Sequence, residues 1–112
     1  MSAVHAELAA GRWFEFPLAE QLAHVGSEVE RTIRWRAKGN ADRSQRAFER
    51  ALELLDLTIA DAKNRRRLRE LTRLREALAD YFWFDNTYGS SDGAWQRYFR
   101  AFTHAAAIAR GR

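Results

Sequence analysis

One hundred and twelve residues, 46% hydrophobic and 30% charged, are the numbers of a single soluble domain able to bury about two-thirds of its unfolded surface. There is no cysteine, which excludes disulfides, zinc–thiolate sites and cysteine nucleophiles, and no apolar run approaches the about 18 residues that span a bilayer. The net charge is +4 and favours anionic partners, although fifteen acids make the surface mixed rather than uniformly basic.

The N-terminal stretch "MSAVHAELAAGRW" has no basic region followed by a continuous apolar run, so the expectation is a cytoplasmic chain without a signal peptide. Ala3 to Ala10, closed by Gly11, reads as a short helix or an arm, and residues 1–16 are set apart from a bundle over 17–112. Pro17 suits the first position of a helix, where its missing N–H costs nothing. From there Leu18, Leu22, Val25, Val29 and Ile33 recur at helical steps to Lys38, and Gly39 supplies a left-handed stop. A second helix, about 42–62, carries Phe48, Ala51, Leu52, Leu55 and Ile59. A third, about 65–85, carries Leu68, Leu71, Leu74, Leu78 and Phe82. The fourth, about 91–109, carries Trp95, Tyr98, Phe99 and Phe102, one helical face that reads as core. Links as short as "GNADRS", "ADAKNR" and "NTYGSSD" force antiparallel neighbours, so the pattern predicts an all-α antiparallel four-helix bundle.

Four apolar residues stand off those seams: Trp35, Leu57, Trp83 and Phe84. They either cover bundle edges or pack under the N-terminal segment with Trp13, Phe14 and Phe16, or they form an interface in a homo-oligomer. The charge pattern has one dense feature, "KNRRRLRELTRLR", with seven basic residues and one glutamate. Arg65, Arg66 and Arg67 there crowd the first turn of a helix starting at Arg65 and oppose its dipole, a cost that phosphate bound by Lys63, Arg65, Arg66, Arg67 and Arg69 would offset. The competing reading is a solvated face paired with Glu49, Glu53, Asp56, Glu70 and Glu76.

Two constellations suggest chemistry. Glu53 and Asp56 match half of the acidic pattern of the all-α nucleoside triphosphate pyrophosphohydrolases, which this chain resembles at those positions. That resemblance implies a magnesium site, while Glu28 followed by Arg31 breaks the other half. Arg97 and His104, with six residues between them, resemble the R-x(4–6)-H element of HEPN-type helical domains, whose nuclease members are of similar size; the resemblance covers about eight residues and implies phosphodiester cleavage. His5 and His24 show no convergent partners. The blocks "GSEVERTIRW", "ERALELLDLTI" and "DNTYGSSD" are similar to those of small, uncharacterised prokaryotic α-helical proteins, a resemblance that spans most of the chain and implies no activity.

The resulting expectation is a small basic binding or assembly module, more a scaffold than an enzyme. It would need no cofactor, associate with itself, and offer an arginine-rich face to nucleic acid or another anionic partner, with no membrane contact. The two alternatives are a HEPN-type ribonuclease using Arg97 and His104 and a magnesium-dependent nucleotide hydrolase using Glu53 and Asp56.

Overall fold

The computed structural model describes residues 11–111 and contains, among them, four α-helices and no strand. The short helix expected over Ala3–Ala10, together with His5, lies outside the described residues. The helices are α1 (Leu18–Ala37), α2 (Ala41–Ala60), α3 (Leu68–Trp83) and α4 (Asp92–Arg110), with short 3-10 segments at Arg12–Glu15 and Ala62–Arg67.

Each boundary has a local cause. Pro17 sits one residue earlier than expected, as the N-cap of α1 with extended backbone, and its carbonyl accepts the Gln21 N–H at 3.0 Å. Gly39, at φ +76, makes the left-handed turn that ends α1. Asn40 then caps α2, its side chain accepting the Arg43 N–H at 3.0 Å, and Ser91 caps α4 through the Ala94 N–H at 3.1 Å. The turn between α3 and α4 is built on the Asp80 carboxylate, which accepts the N–H groups of Thr87 (2.9 Å) and Tyr88 (3.1 Å).

α1 is the central element. Along one flank it packs on α2 and along the other on α4, while α3 closes against α2. All neighbours are antiparallel. Ser44 of α2 reaches the Thr32 carbonyl near the end of α1, while Asp61, just past α2, meets Gln21 near its start. On the other flank Asp92 meets Arg36 and Arg110 meets Glu20. Leu22, Val25, Val29 and Ile33 of α1 meet Phe48, Ala51, Leu52 and Leu55 of α2, Leu71, Leu74 and Leu78 of α3, and Trp95 and Phe99 of α4 in one buried cluster. The aromatic stripe of α4 is therefore core: Trp95 and Phe99 are buried, and half-buried Tyr98 meets Phe99 edge-on, ring centres 5.0 Å apart.

Trp13 enlarges that core. It precedes the periodic part of the sequence, yet its indole is 1% exposed and its Nε1 donates to Thr58 Oγ1 at 3.3 Å. The 3-10 segment around it is thus docked on the bundle rather than trailing from it.

α1 and α4 approach so closely that a Cβ built on Gly26 would lie 2.6 Å from Phe99 Cβ. Alanine is ordinarily about 1 kcal/mol better than glycine inside a helix. Here it would push α4 away by its rigid backbone end, so Gly26→Ala is expected to lower stability by about 1–3 kcal/mol in chemical denaturation. A raised or unchanged midpoint would show that the α1–α4 spacing is not set by this contact.

Candidate functional site

The basic run takes a shape different from the one its sequence suggests. Arg65, Arg66 and Arg67 do not form the first turn of α3; they belong to the 3-10 segment Ala62–Arg67 that precedes it. α3 begins at Leu68 with Arg67 at its N-cap and no side-chain cap, and its first turn holds Glu70, the acid a helix N-terminus favours. The dipole conflict is correspondingly smaller than expected.

A buried polar cluster imposes this geometry. Asp61 has extended backbone, and its carboxylate accepts the Lys63 N–H at 3.1 Å and Gln21 Nε2 at 2.9 Å. Asn64, 4% exposed, donates to Gln21 Oε1 at 2.9 Å and to the Thr58 carbonyl at 3.0 Å. Gln21 Nε2 also donates to the Trp13 carbonyl at 3.1 Å. The segment's inner side is thereby pinned to α1, α2 and the Trp13 turn, while Arg65 and Arg66 are left exposed. Burial alone would raise the Asp61 carboxyl; the hydrogen bonds from Lys63 and Gln21 outweigh it and hold the group below the usual aspartate range.

The five cations then divide. Lys63 is paired with Asp61 and donates to the Phe14 carbonyl at 3.2 Å. Arg67 grips Glu70 through two hydrogen bonds of 2.8 and 2.9 Å, and those bonds keep the Glu70 carboxyl low. Arg65, Arg66 and Arg69 are exposed and make no ion pair with any described residue. At the far end of the same run Arg75 is held by Asp56 at 2.7 Å, so the Arg67–Glu70 and Arg75–Asp56 pairs are of the kind that the solvated-face reading expects.

The four off-seam apolar residues differ in exposure. Leu57 is half-buried against the core, and half-buried Trp35 carries the Arg43 guanidinium 4.6 Å from its ring centre. Trp83, 43% exposed, is edge-on to Phe48 and donates its Nε1 to Gln45 Oε1 at 2.9 Å. Phe84, 71% exposed, remains uncovered at the α3–α4 end together with Tyr88, a residue that its sequence marks only as part of the turn.

Neither catalytic constellation converges. Arg97 and His104 are both exposed on α4, about 10 Å apart along its axis by the rise of an α-helix, and neither is ion-paired with a described residue. No group of three or more His, Asp or Glu side chains able to hold a metal occurs among the described residues. Glu28 is buried and bridges two arginines, accepting from Arg31 Nη1 and Arg50 Nε at 2.9 Å each. His24 rests against the rings of Trp13 and Phe16.

A folded-state pKa below the about 3.9 of an unfolded aspartate means that Asp61 contributes stability above that value and loses it as pH falls through the folded pKa. Asp61→Asn is expected to lower stability at neutral pH by about 1–3 kcal/mol, because the amide sets an NH2 donor in place of one of the two oxygens that accept from Lys63 and Gln21. It should also flatten the acid limb of the stability curve below about pH 4. Denaturation midpoints measured from pH 3 to 7 test this; parallel curves for the two proteins would remove Asp61 from that role.

No helix of the described residues is long and apolar enough to cross a membrane. Comparison with protein-family models, with curated proteins and with solved structures finds no match to this chain.

Proposed function

We propose that this chain is a non-enzymatic binding and assembly module that offers a cationic ridge to an anionic polymer, with nucleic acid the best-fitting class. The observation that carries the reading is the contrast within one segment. The backbone of Ala62–Arg67 is anchored through buried Asp61 and Asn64, yet Arg65 and Arg66, with Arg69 one turn on, project without carboxylate partners among the described residues. Guanidiniums held on a fixed backbone lose less entropy on meeting phosphates than the same groups on a loose tail. The nuclease reading through Arg97 and His104 and the hydrolase reading through Glu53 and Asp56 draw no comparable support, because catalysis needs its groups convergent.

Binding to RNA or DNA should be indifferent to sequence and fall with salt, with a log–log slope of about −0.7 to −0.9 per phosphate contact. Arg65→Glu, Arg66→Glu and Arg69→Glu together should abolish it, with thermal unfolding unchanged because the three side chains are exposed and make no ion pair with a described residue. A wild-type protein without salt-sensitive binding to any polyanion would end this reading.

The exposed end of α3 favours a second element of the proposal, self-association. Phe84 and Tyr88, 71% and 63% exposed, follow 43%-exposed Trp83 in the chain where α3 turns toward α4. Sedimentation should show a species larger than the monomer at micromolar concentration, and Phe84→Ser should shift it to monomer without lowering the unfolding midpoint. A wild-type protein that stays monomeric leaves that end without an assembly role.

A further inference from the structure

We propose that the groove between the C-terminal half of α1 and the N-terminal half of α2 is a binding site for a compact polyphosphate group, of the kind carried by a nucleoside triphosphate. The groove has a volume of about 440 Å³ and is lined by Arg31, Trp35, Arg43, Arg46 and Arg50. Its size falls within the range of small-molecule sites. Every charged side chain lining it is a guanidinium.

The arginines are positioned, not merely crowded. Glu28, 8% exposed, lies beneath two of them, with one carboxylate oxygen accepting from Arg31 Nη1 and the other from Arg50 Nε. Each of those guanidiniums spends one N–H on Glu28 and keeps the others, since arginine carries five. Arg43 is laid over Trp35 at 4.6 Å, which holds it in place while leaving its N–H edge unspent, and Lys38 Nζ stands 5.2 Å from the same ring. Arg46 is exposed and makes no ion pair with any described residue. Four guanidinium charges against the one carboxylate of Glu28 leave 4 − 1 = +3 around a single space.

Such an arrangement repels itself, and a multiply charged anion is what relieves it. Guanidinium forks match phosphoryl oxygens in geometry as well as in charge. The cations face one another from two antiparallel helices instead of following one line, so they suit several phosphoryl groups packed closely better than the spaced phosphates of a strand. A base attached to the chain could add a contact with the Arg43 guanidinium, which stands 4.6 Å from the Trp35 ring centre. None of these residues belongs to the Lys63–Arg69 ridge, so the site stands or falls independently of the function proposed above.

The experiment titrates adenosine triphosphate, inorganic triphosphate and a single-stranded oligonucleotide, separately, into the wild-type protein in low-salt buffer by calorimetry, and repeats the series with Arg46→Glu, Arg46→Ala and the ridge variant. Both triphosphates should bind saturably. Arg46→Glu should weaken them by more than about tenfold and Arg46→Ala by about that factor, the scale of one charge-assisted hydrogen bond. The ridge variant should leave triphosphate binding unchanged while losing the oligonucleotide. Equal affinity for the two triphosphates would assign recognition to the phosphate chain, and tighter binding of the nucleotide would add the base; either supports the site. Absence of saturable triphosphate binding, unchanged affinity in both Arg46 variants, or sensitivity of oligonucleotide binding alone to Arg46 would overturn it. Because Arg46 is exposed and makes no ion pair with a described residue, unfolding midpoints should match wild type, so a lost affinity reads on the groove.

Discussion

Gln21 has no exposed surface, and its carboxamide ties α1 to the Trp13 turn and to the distant Asp61–Asn64 segment. Its Nε2 donates to the Trp13 carbonyl and to Asp61, and its Oε1 accepts from Asn64. A buried amide left unpaired would cost several kcal/mol, so the burial is tolerable only because both ends of the group are satisfied. The same bonds satisfy the carboxylate of Asp61 and the amide of Asn64, which makes the cluster cooperative: losing one member strands the others. Everything at that end of the bundle follows from it, including the docking of the Trp13 turn, the extended backbone at Asp61 and the outward direction of Arg65 and Arg66.

The rest of the fold hangs on α1 through two unlike contacts. Toward α2 the contact mixes core packing with inward polar groups, Ser44 donating to the Thr32 carbonyl and Glu28 reaching Arg50. Toward α4 it is a steric fit, Gly26 against Phe99, bordered by the exposed pairs of Arg36 with Asp92 and Arg110 with Glu20. Exposed pairs of that kind contribute little, so close packing rather than charge holds α4. Tyr81 strengthens one of them by donating to Asp92 at 2.6 Å, and its hydroxyl titrates high because burial and that carboxylate both oppose ionisation.

Periodicity made the four helices and the α4 aromatic face readable, because each helix buries one stripe and wets the other. What it could not reveal were the places where a side chain competes with the backbone. Arginine is a good helix former, so "NRRR" reads as helix. Asp61 and Asn64 instead draw that segment into a 3-10 turn by bonding neighbouring and buried groups. The depth of Trp13 was hidden for a different reason: a residue before the first periodic stretch carries no repeat, and its burial rests on Thr58, far along the chain, together with Phe16, His24 and the core. The arginine groove escaped because its members fall on two helices. A search for charge runs finds Lys63–Arg75, and only the α1–α2 hairpin brings Arg31 to Arg50. Glu28 likewise reads as a fragment of an acidic motif in the sequence, whereas in the fold it anchors two cations.

The two cationic surfaces differ in what is held still. On the ridge the backbone is fixed and the side chains of Arg65, Arg66 and Arg69 are free, so each phosphate contact must order a long side chain and is screened by salt. In the groove Arg31 and Arg50 are tied to a nearly buried carboxylate and Arg43 is pressed on an indole, so much of that ordering has occurred before any ligand arrives. A ridge of the first kind suits a long, interchangeable polymer that is gripped at many weak points. A groove of the second kind suits a small ligand of defined charge, and there Glu28 acts in two ways. It limits the repulsion among the arginines before an anion binds, and it keeps their remaining N–H groups directed at the same space.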